Sequence, residues 1–452
     1  VPGTTDSETP AAAAARRGGG GRYRWLVCGL LFLATTINYI DRQILSLLKP
    51  ILDDKLHWTN QQFGQVNSAF QAAYAVGLLL FGVLVDRFGA RIGYAVSIVA
   101  WSVAAIGHAA VGSVNGFTVA RVALGLGEGG NFPSSIKAVA LWFPKRERAL
   151  ATTLFNAGAN VGAIIAPAIV PALAFKFGWQ MPFVVMGCFG LAWLLLWLPL
   201  YNDPSRVGRV SPAELAYLGA DSTADGPAGS EALPWHAILR YRQAWSFIIA
   251  KFVTDPVWWF FLIWLPAYFK SARGLDIKTS WIYLVTIYSI ITVLSVAGGW
   301  LTGRLVRGLG IGRGRKTAML IFALCVVPIL LVAKTSIWGS VVLIGIAGAA
   351  HQAWSANLFT TVSDMFPKRA VASVVGIGGM AGSLGGIIFP LYAGKLLDRF
   401  QAAGNIGTGY AILFTVCGSA YLVAFVVNQL LAPRFEPIEL PESTPAPTDR
   451  AS

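Results

Sequence analysis

Charged side chains are scarce in this sequence: Asp, Glu, Lys and Arg make up 12% of 452 residues, against 55% hydrophobic. A soluble globular protein carries about 25% charged residues, so a large water-facing surface is excluded and lipid must cover much of the chain. Cysteine is equally sparse. Cys28, Cys188, Cys325 and Cys417 lie far apart, each inside an apolar segment, with no CxxC pair or Cys/His cluster to hold a metal or run redox chemistry. They read as small packing residues, and no metal or cofactor is expected. No HExxH or GxSxG string occurs, which removes the usual nucleophile or metal cluster of a membrane-embedded enzyme. The net charge is +14, but a nucleic-acid partner would require basic residues gathered on one face among exposed aromatics. Here they fall in short runs between apolar segments, as membrane topology dictates.

Those apolar segments are abundant. A helix needs about twenty apolar residues to cross the hydrocarbon core. Stretches of that kind begin near Trp25, Phe63, Ile92, Gly116, Ala149 and Pro182, and again near Ala244, Ser280, Thr317, Trp338, Val371 and Tyr410. The expected fold is therefore an all-α integral membrane protein of twelve transmembrane helices. The polar segment from Tyr201 to Arg242 divides them into two sets of six. The expected organisation is a disordered tail over 1–23, a six-helix bundle over 24–200 and a linker over 201–243. A second bundle over 244–432 and a disordered tail over 433–452 complete it.

Lys and Arg fall unevenly between the loops. One side carries Arg22, Arg24, Arg87, Arg91, Lys145, Arg146, Arg148, Arg206, Arg209, Arg240 and Arg242. It also carries Arg304, Arg307, Arg313, Arg315, Lys316, Lys368 and Arg369. The other side, which includes Lys49, Lys55, Lys176, Lys270, Arg273 and Lys334, has about half as many. The positive-inside rule makes the richer side, and with it both termini and both tails, cytoplasmic.

The halves repeat. Phe143, Pro144, Lys145 and Arg146 recur as Phe366, Pro367, Lys368 and Arg369, and the same offset carries Gly162 to Gly385 and Pro167 to Pro390. A constant offset across a loop and the next helix indicates two six-helix bundles in parallel repeat. In such an architecture substrate binds near mid-membrane between the halves.

After the second span the sequence reads Gly82, three residues, Asp86, Arg87, Phe88, Gly89, Ala90, Arg91, with a weaker copy at Gly299, Gly303 and Arg304. This resembles the loop signature of the major facilitator superfamily. Glycines there allow close helix approach, and Asp86 can pair with nearby Arg residues, so Asp86, Arg87 and Arg91 read as a gate at the cytoplasmic mouth. Further stretches narrow the resemblance: Asn38 to Arg42 (NYIDR) in the first span and Arg121 to Pro133 (RVALGLGEGGNFP) in the fourth. Within the superfamily the chain looks like the anion:cation symporter family. Thr254 to Trp259 (TDPVWW) and His351 to Ser355 (HQAWS) look like its bacterial hexuronate branch. The resemblance covers about residues 24–432. It implies a proton-coupled symporter of an organic anion in the bacterial inner membrane, expected to act as a monomer. The vesicular branch carries an Arg in the seventh span where this chain has Thr254, which argues against glutamate as substrate.

Ionisable groups inside the spans point the same way. A charge near the bilayer centre costs at least about 2.5 kcal/mol, so such residues mark pathways or partners. Asp41 and Arg42 lie in the first span, and Arg121 and Glu128 lie two turns apart on one face of the fourth. A carboxylate in a partly desolvated cavity is suited to bind and release a proton, and the resemblance implies that role for Asp41 and Glu128, with Arg121 beside them. Arg42 is the candidate for the substrate carboxylate, because guanidinium meets carboxylate in a bidentate fork. Asn67, Gln71 and Tyr74 share one face of the second span. Asn160, His351, Trp354 and Asn357 are further polar candidates, and the resemblance supports Tyr39, Tyr74 and a position near Asn160 as contacts to sugar hydroxyls. His351 stands at the repeat position of Glu128. Most tryptophans are expected as interface anchors, with Trp354 able to stack on a sugar ring. Asp255-Pro256 is expected to break the seventh helix. The substrate class stays open between a hexuronate and another carboxylate such as galactonate or an aromatic acid.

Overall fold

A computed structural model describes residues 22–219, 235–436 and 438. The first tail up to residue 21, the middle of the linker and nearly all of the last tail lie outside the described residues. Every regular element described is helical. The first half comprises α1 (Tyr23–Leu56), α2 (Asn60–Gly107), α3 (Val114–Glu128), α4 (Asn131–Trp142), α5 (Lys145–Phe177) and α6 (Met181–Leu200). Two short linker helices follow, α7 (Pro212–Gly219) and α8 (Trp235–Ile238). The second half comprises α9 (Arg242–Ser271), α10 (Ile277–Leu309), α11 (Ile311–Val326), α12 (Ile337–Met365), α13 (Lys368–Ala402) and α14 (Ile406–Leu431).

Among the described residues, ten helices are long and apolar enough to cross a membrane. Two local features account for the difference from the expected twelve. The segment Asn60–Ala110 is 51 residues long, about 75 Å if straight and more than twice the hydrocarbon thickness. It folds back instead at Gly89, whose φ of 81° suits a residue without Cβ. The expected fourth span is divided at Gly129 and Gly130 into α3 and α4, each too short to count alone. Exposed apolar side chains such as Leu79, Val83, Leu195, Val296 and Leu430 form the lipid-facing surface that so few charges require.

Small residues set the helix spacing. A Cβ on Gly125 would lie 2.5 Å from the Phe70 carbonyl oxygen, and one on Gly127 would lie 2.6 Å from the Trp101 nitrogen. The glycine-rich run after Arg121 thus lets α3 sit against both arms of α2. Pro256 does not break α9, which continues from Arg242 to Ser271. The ring removes one hydrogen bond, and the freed Phe252 carbonyl meets the close approach of α13 at Gly385. Tryptophan usage also departs from expectation. Trp101, Trp142, Trp193, Trp197, Trp264 and Trp354 are among the largest fully buried side chains, so they pack helices together, while Trp245, Trp281, Trp300 and Trp338 are exposed.

The halves meet tightly at the end away from the basic loops. There the backbone N–H groups of Asn60 and Gln61, at the start of α2, both donate to the Asp398 carboxylate of α13 at 2.8 Å. Asn60 Nδ2 donates to Gln401 at 2.7 Å. Lys270 Nζ donates to the Pro50 carbonyl at 2.5 Å, and Phe63 packs edge-on against Trp264. A carboxylate at a helix N-terminus satisfies orphan donors and complements the helix dipole. At the other end the halves diverge around a cavity.

Candidate functional site

The apex above that cavity, reached from it through Tyr39, is built by α1, α2 and α3. Arg42 Nε donates to Glu128 Oε2 at 2.6 Å, joining the middle of α1 to the last residue of α3. Four rings surround the guanidinium: Tyr74 at 4.4 Å, Tyr39 at 5.0 Å, Phe70 at 5.8 Å and Trp259 of α9 at 5.9 Å. Such rings stabilise a cation through their negative faces while excluding water. Arg121, one per cent exposed, donates from Nη2 to the Arg42 carbonyl at 3.3 Å. Asp41 is buried beside this group, within electrostatic range of Glu128 and Arg121, and neither of its oxygens has a protein hydrogen-bond partner. Four ionisable groups from two helices thus share one desolvated pocket.

Below the apex a cavity of about 810 Å³ runs towards the basic loops. Tyr39 and Trp258 line its deep part, Asn156, Asn160, Gln352 and Asn357 contribute amides, and Val306 and Arg315 stand near its mouth. The volume is ample for one small organic acid with water. A small apolar groove against α9, α13 and α14, lined by Phe252, Val253, Ile388 and Val423, carries almost no polar group and faces the lipid side.

The sequence-predicted residues do not all gather at this cavity. Tyr39, Asn160 and Asn357 line it, with Asn357 Nδ2 donating to Thr302 at 2.8 Å. Arg42 and Tyr74 meet at the apex. Gln71 is buried in α2 with its Nε2 unpartnered. His351 lies behind the cavity wall, 2.6 Å from the Tyr421 hydroxyl and flat against Trp258 at 5.6 Å between centroids. Trp354 is fully buried and packs edge-on against Tyr421, away from the cavity. In the loop signature, Asp86 pairs with Lys137 of α4 at 3.0 Å, the turn at Gly89 having carried Arg91 into the next arm. Arg91 donates to the Leu198 carbonyl at 2.6 Å, and Arg87 lies over Phe88.

Sequence reasoning passed over Lys251, which pairs with Asp255 at 2.7 Å one turn along α9 and sits 4.4 Å from the centre of the Phe359 ring. A lysine inside an apolar span was a signal that could have found it. Trp258 and Trp259 had no individual role. Their adjacency on a helix sends them to different neighbours, one to the cavity and one to Arg42, which composition does not reveal.

A bundle of apolar helices, sealed at one end and enclosing a polar cavity with buried charges at its apex, defines a membrane transporter. Comparison with known proteins agrees: a family model described as the Major Facilitator Superfamily matches residues 31–390, and the chain belongs to that family. It is 30% identical over 431 residues to the hexuronate transporter of Escherichia coli (strain K12), covering 94% of this chain and 98% of the relative. To the galacturonate transporter of Dickeya chrysanthemi it is 32% identical over 256 residues, covering 56% of this chain and 74% of the relative. Among solved structures it superposes on a D-xylose-proton symporter with TM-score 0.73 at 15% identity, covering 92% of this chain and all of that one.

Proposed function

We propose that this chain is a proton-coupled symporter that imports a hexuronate or closely related sugar acid by alternating access. The observation that carries the reading is the buried Arg42–Glu128 pair, joined through Tyr39 to an amide-lined cavity, in a chain similar to hexuronate and galacturonate transporters. Glu128 and an incoming carboxylate compete for one guanidinium. Protonation of Glu128 removes its claim and frees Arg42 to bind the acid in a fork. An unpaired ionised carboxylate is costly to bury, and Asp41, with no protein donor at either oxygen, is the second candidate carrier. Arg121 balances the pair electrostatically.

In this reading the basic end is cytoplasmic, the chain sits in the bacterial inner membrane with both termini inside, and the cavity is the inward-open site. The bundles over 24–200 and 244–432 rock against each other as a monomer, with Asp86, Arg87 and Arg91 shaping the cytoplasmic mouth. Asn156, Asn160, Gln352 and Asn357 suit a polyhydroxylated acid better than an aromatic one, which leaves an open-chain sugar acid such as galactonate as the second reading. Uptake of labelled glucuronate and galacturonate into proteoliposomes, with and without a pH gradient, tests the proposal. Accumulation above equilibrium is expected only with an inward proton-motive force. Accumulation that persists without a pH gradient or membrane potential, or no uptake of either acid, refutes it.

A further inference from the structure

Three tryptophans stand near the cavity, and their surroundings divide the work. Trp354 is fully buried with its ring edge-on to Tyr421 at 90°. Trp259 is turned to Arg42. Trp258 is a cavity-lining residue, nine per cent exposed. One face of its indole lies on the His351 imidazole, with an interplanar angle of 5°. His351 is in turn fixed by the Tyr421 hydroxyl at 2.6 Å, and that hydroxyl is also 3.5 Å from the Thr254 carbonyl. Thr254 is one helical turn before Trp258 on α9, so the chain Thr254–Tyr421–His351–Trp258 returns to the helix it started from. The indole is therefore backed and locked before any ligand arrives, and a surface so prepared loses little freedom on binding.

The chemistry on the remaining face is specific. An indole attracts the positive edge of C–H groups, and a pyranose ring presents several axial C–H groups as one flat face. An open-chain polyol acid has no such face. Tyr39 links the platform to the anion site, since it lines the same cavity as Trp258 and touches the Arg42 guanidinium. A carboxylate held at Arg42 would thus carry its ring towards Trp258, with Asn160 and Asn357 placed around the cavity for hydroxyls.

We propose that Trp258 is the stacking platform for the ring of a cyclic sugar acid, and that His351 and Tyr421 are positioning residues holding it flat. The proposal rests on the sugar-acid reading above and adds that the chain selects ring over open-chain substrates through α9. The experiment compares binding of glucuronate (cyclic) and galactonate (open-chain) to purified wild-type, Trp258→Ala, Trp258→Phe, His351→Gln and Tyr421→Phe proteins.

Trp258→Ala should weaken glucuronate on the order of tenfold or more, the effect of a lost stacking surface, and change galactonate by less than about threefold. Trp258→Phe should recover part of the loss, which also guards against misfolding of the alanine variant. His351→Gln and Tyr421→Phe should lower the glucuronate-to-galactonate preference without abolishing either binding. Equal losses for both acids, or an unchanged preference in Trp258→Ala, overturn the platform while the sugar-acid reading stands. Wild-type protein that binds neither acid removes that reading and the platform with it.

Discussion

The two halves of the molecule use charge in different ways. In the first half the buried ion pair spans two helices, Arg42 on α1 and Glu128 at the end of α3. In the second half the Lys251–Asp255 pair lies within one helix, a single turn apart on α9, and the interhelical pair of Arg315 with Asp364 stands by the cavity mouth. A bridge between helices changes when the helices move, whereas a bridge within a helix travels as a rigid unit. The repeat sharpens this. Gly162 approaches the Thr36 carbonyl as its counterpart Gly385 approaches that of Phe252, so Arg42 and Trp258, each six residues further on, occupy matching places. Glu128 matches His351. Where one half has a salt bridge, the other has a ring stacked on a ring. In the proposed function the first half would bind the anion and exchange protons, and the second would shape and orient the substrate.

The largest expected effect breaks the interhelical pair. Arg42→Ala should abolish uptake of acidic sugars and weaken their binding by about a hundredfold or more, as truncating a buried charged partner does. Lys at this position should restore little because the planar fork is gone. Titration calorimetry on the purified variants measures both, and near-normal affinity for the acid would remove Arg42 from the anion site.

Glu128→Gln should separate binding from coupling. The amide keeps the shape and can still face Arg42, so counterflow exchange of substrate is expected to persist while accumulation driven by a pH gradient disappears. Gradient-driven accumulation at the wild-type level would make Glu128 structural.

The pair in the second half should behave as a stability element. Lys251→Met leaves Asp255 uncompensated and should destabilise by about 3–5 kcal/mol, read as a lowered melting temperature in detergent. The double variant Lys251→Met/Asp255→Asn should recover most of it and transport close to normally. A double variant that is stable yet inactive would place Lys251 on the transport path and erase the contrast between the halves.

The smallest effect concerns net charge movement. With Asp41 and Glu128 both carrying protons, two protons would accompany one monoanion, and an inside-negative potential would contribute about 2.3 kcal/mol per 100 mV to inward movement. Uptake at equal pH should then quicken severalfold when potassium and valinomycin impose such a potential. Indifference to it would leave one carboxyl as the proton carrier.

Much of the architecture was readable from patterning alone, because a span must be long and apolar wherever it sits. The repeat of Phe143 to Arg146 at Phe366 to Arg369 located matching helices before any packing was known. What patterning could not supply was partnership. Glu128 and Arg121 share a helix face, yet the described ion pair joins Glu128 to Arg42 on a different helix. Pro256 suggested a break, but one lost hydrogen bond is a small perturbation in a helix clamped by its neighbours. Trp354 and Trp258 have equal claim to a sugar ring by residue type. Only the packing of Tyr421 separates them, burying one and bracing the other through His351.

The Asp398 carboxylate, holding the start of α2 through two backbone donors at 2.8 Å, has a consequence for how the two faces of the membrane experience the protein. Every interaction that favours closure of that end reduces the fraction of molecules able to accept a solute there, and apparent affinity from that face falls by the same fraction. A bias of about 1.4 kcal/mol is a tenfold difference. A single intrinsic binding constant at Arg42 would then be read as two, weaker from the sealed face and stronger from the open one. In the proposed alternating-access cycle a retained solute would leak back less readily if this bias were reversed, so this carboxylate cap, with the other contacts at the sealed end, would help set how leaky the carrier is at rest.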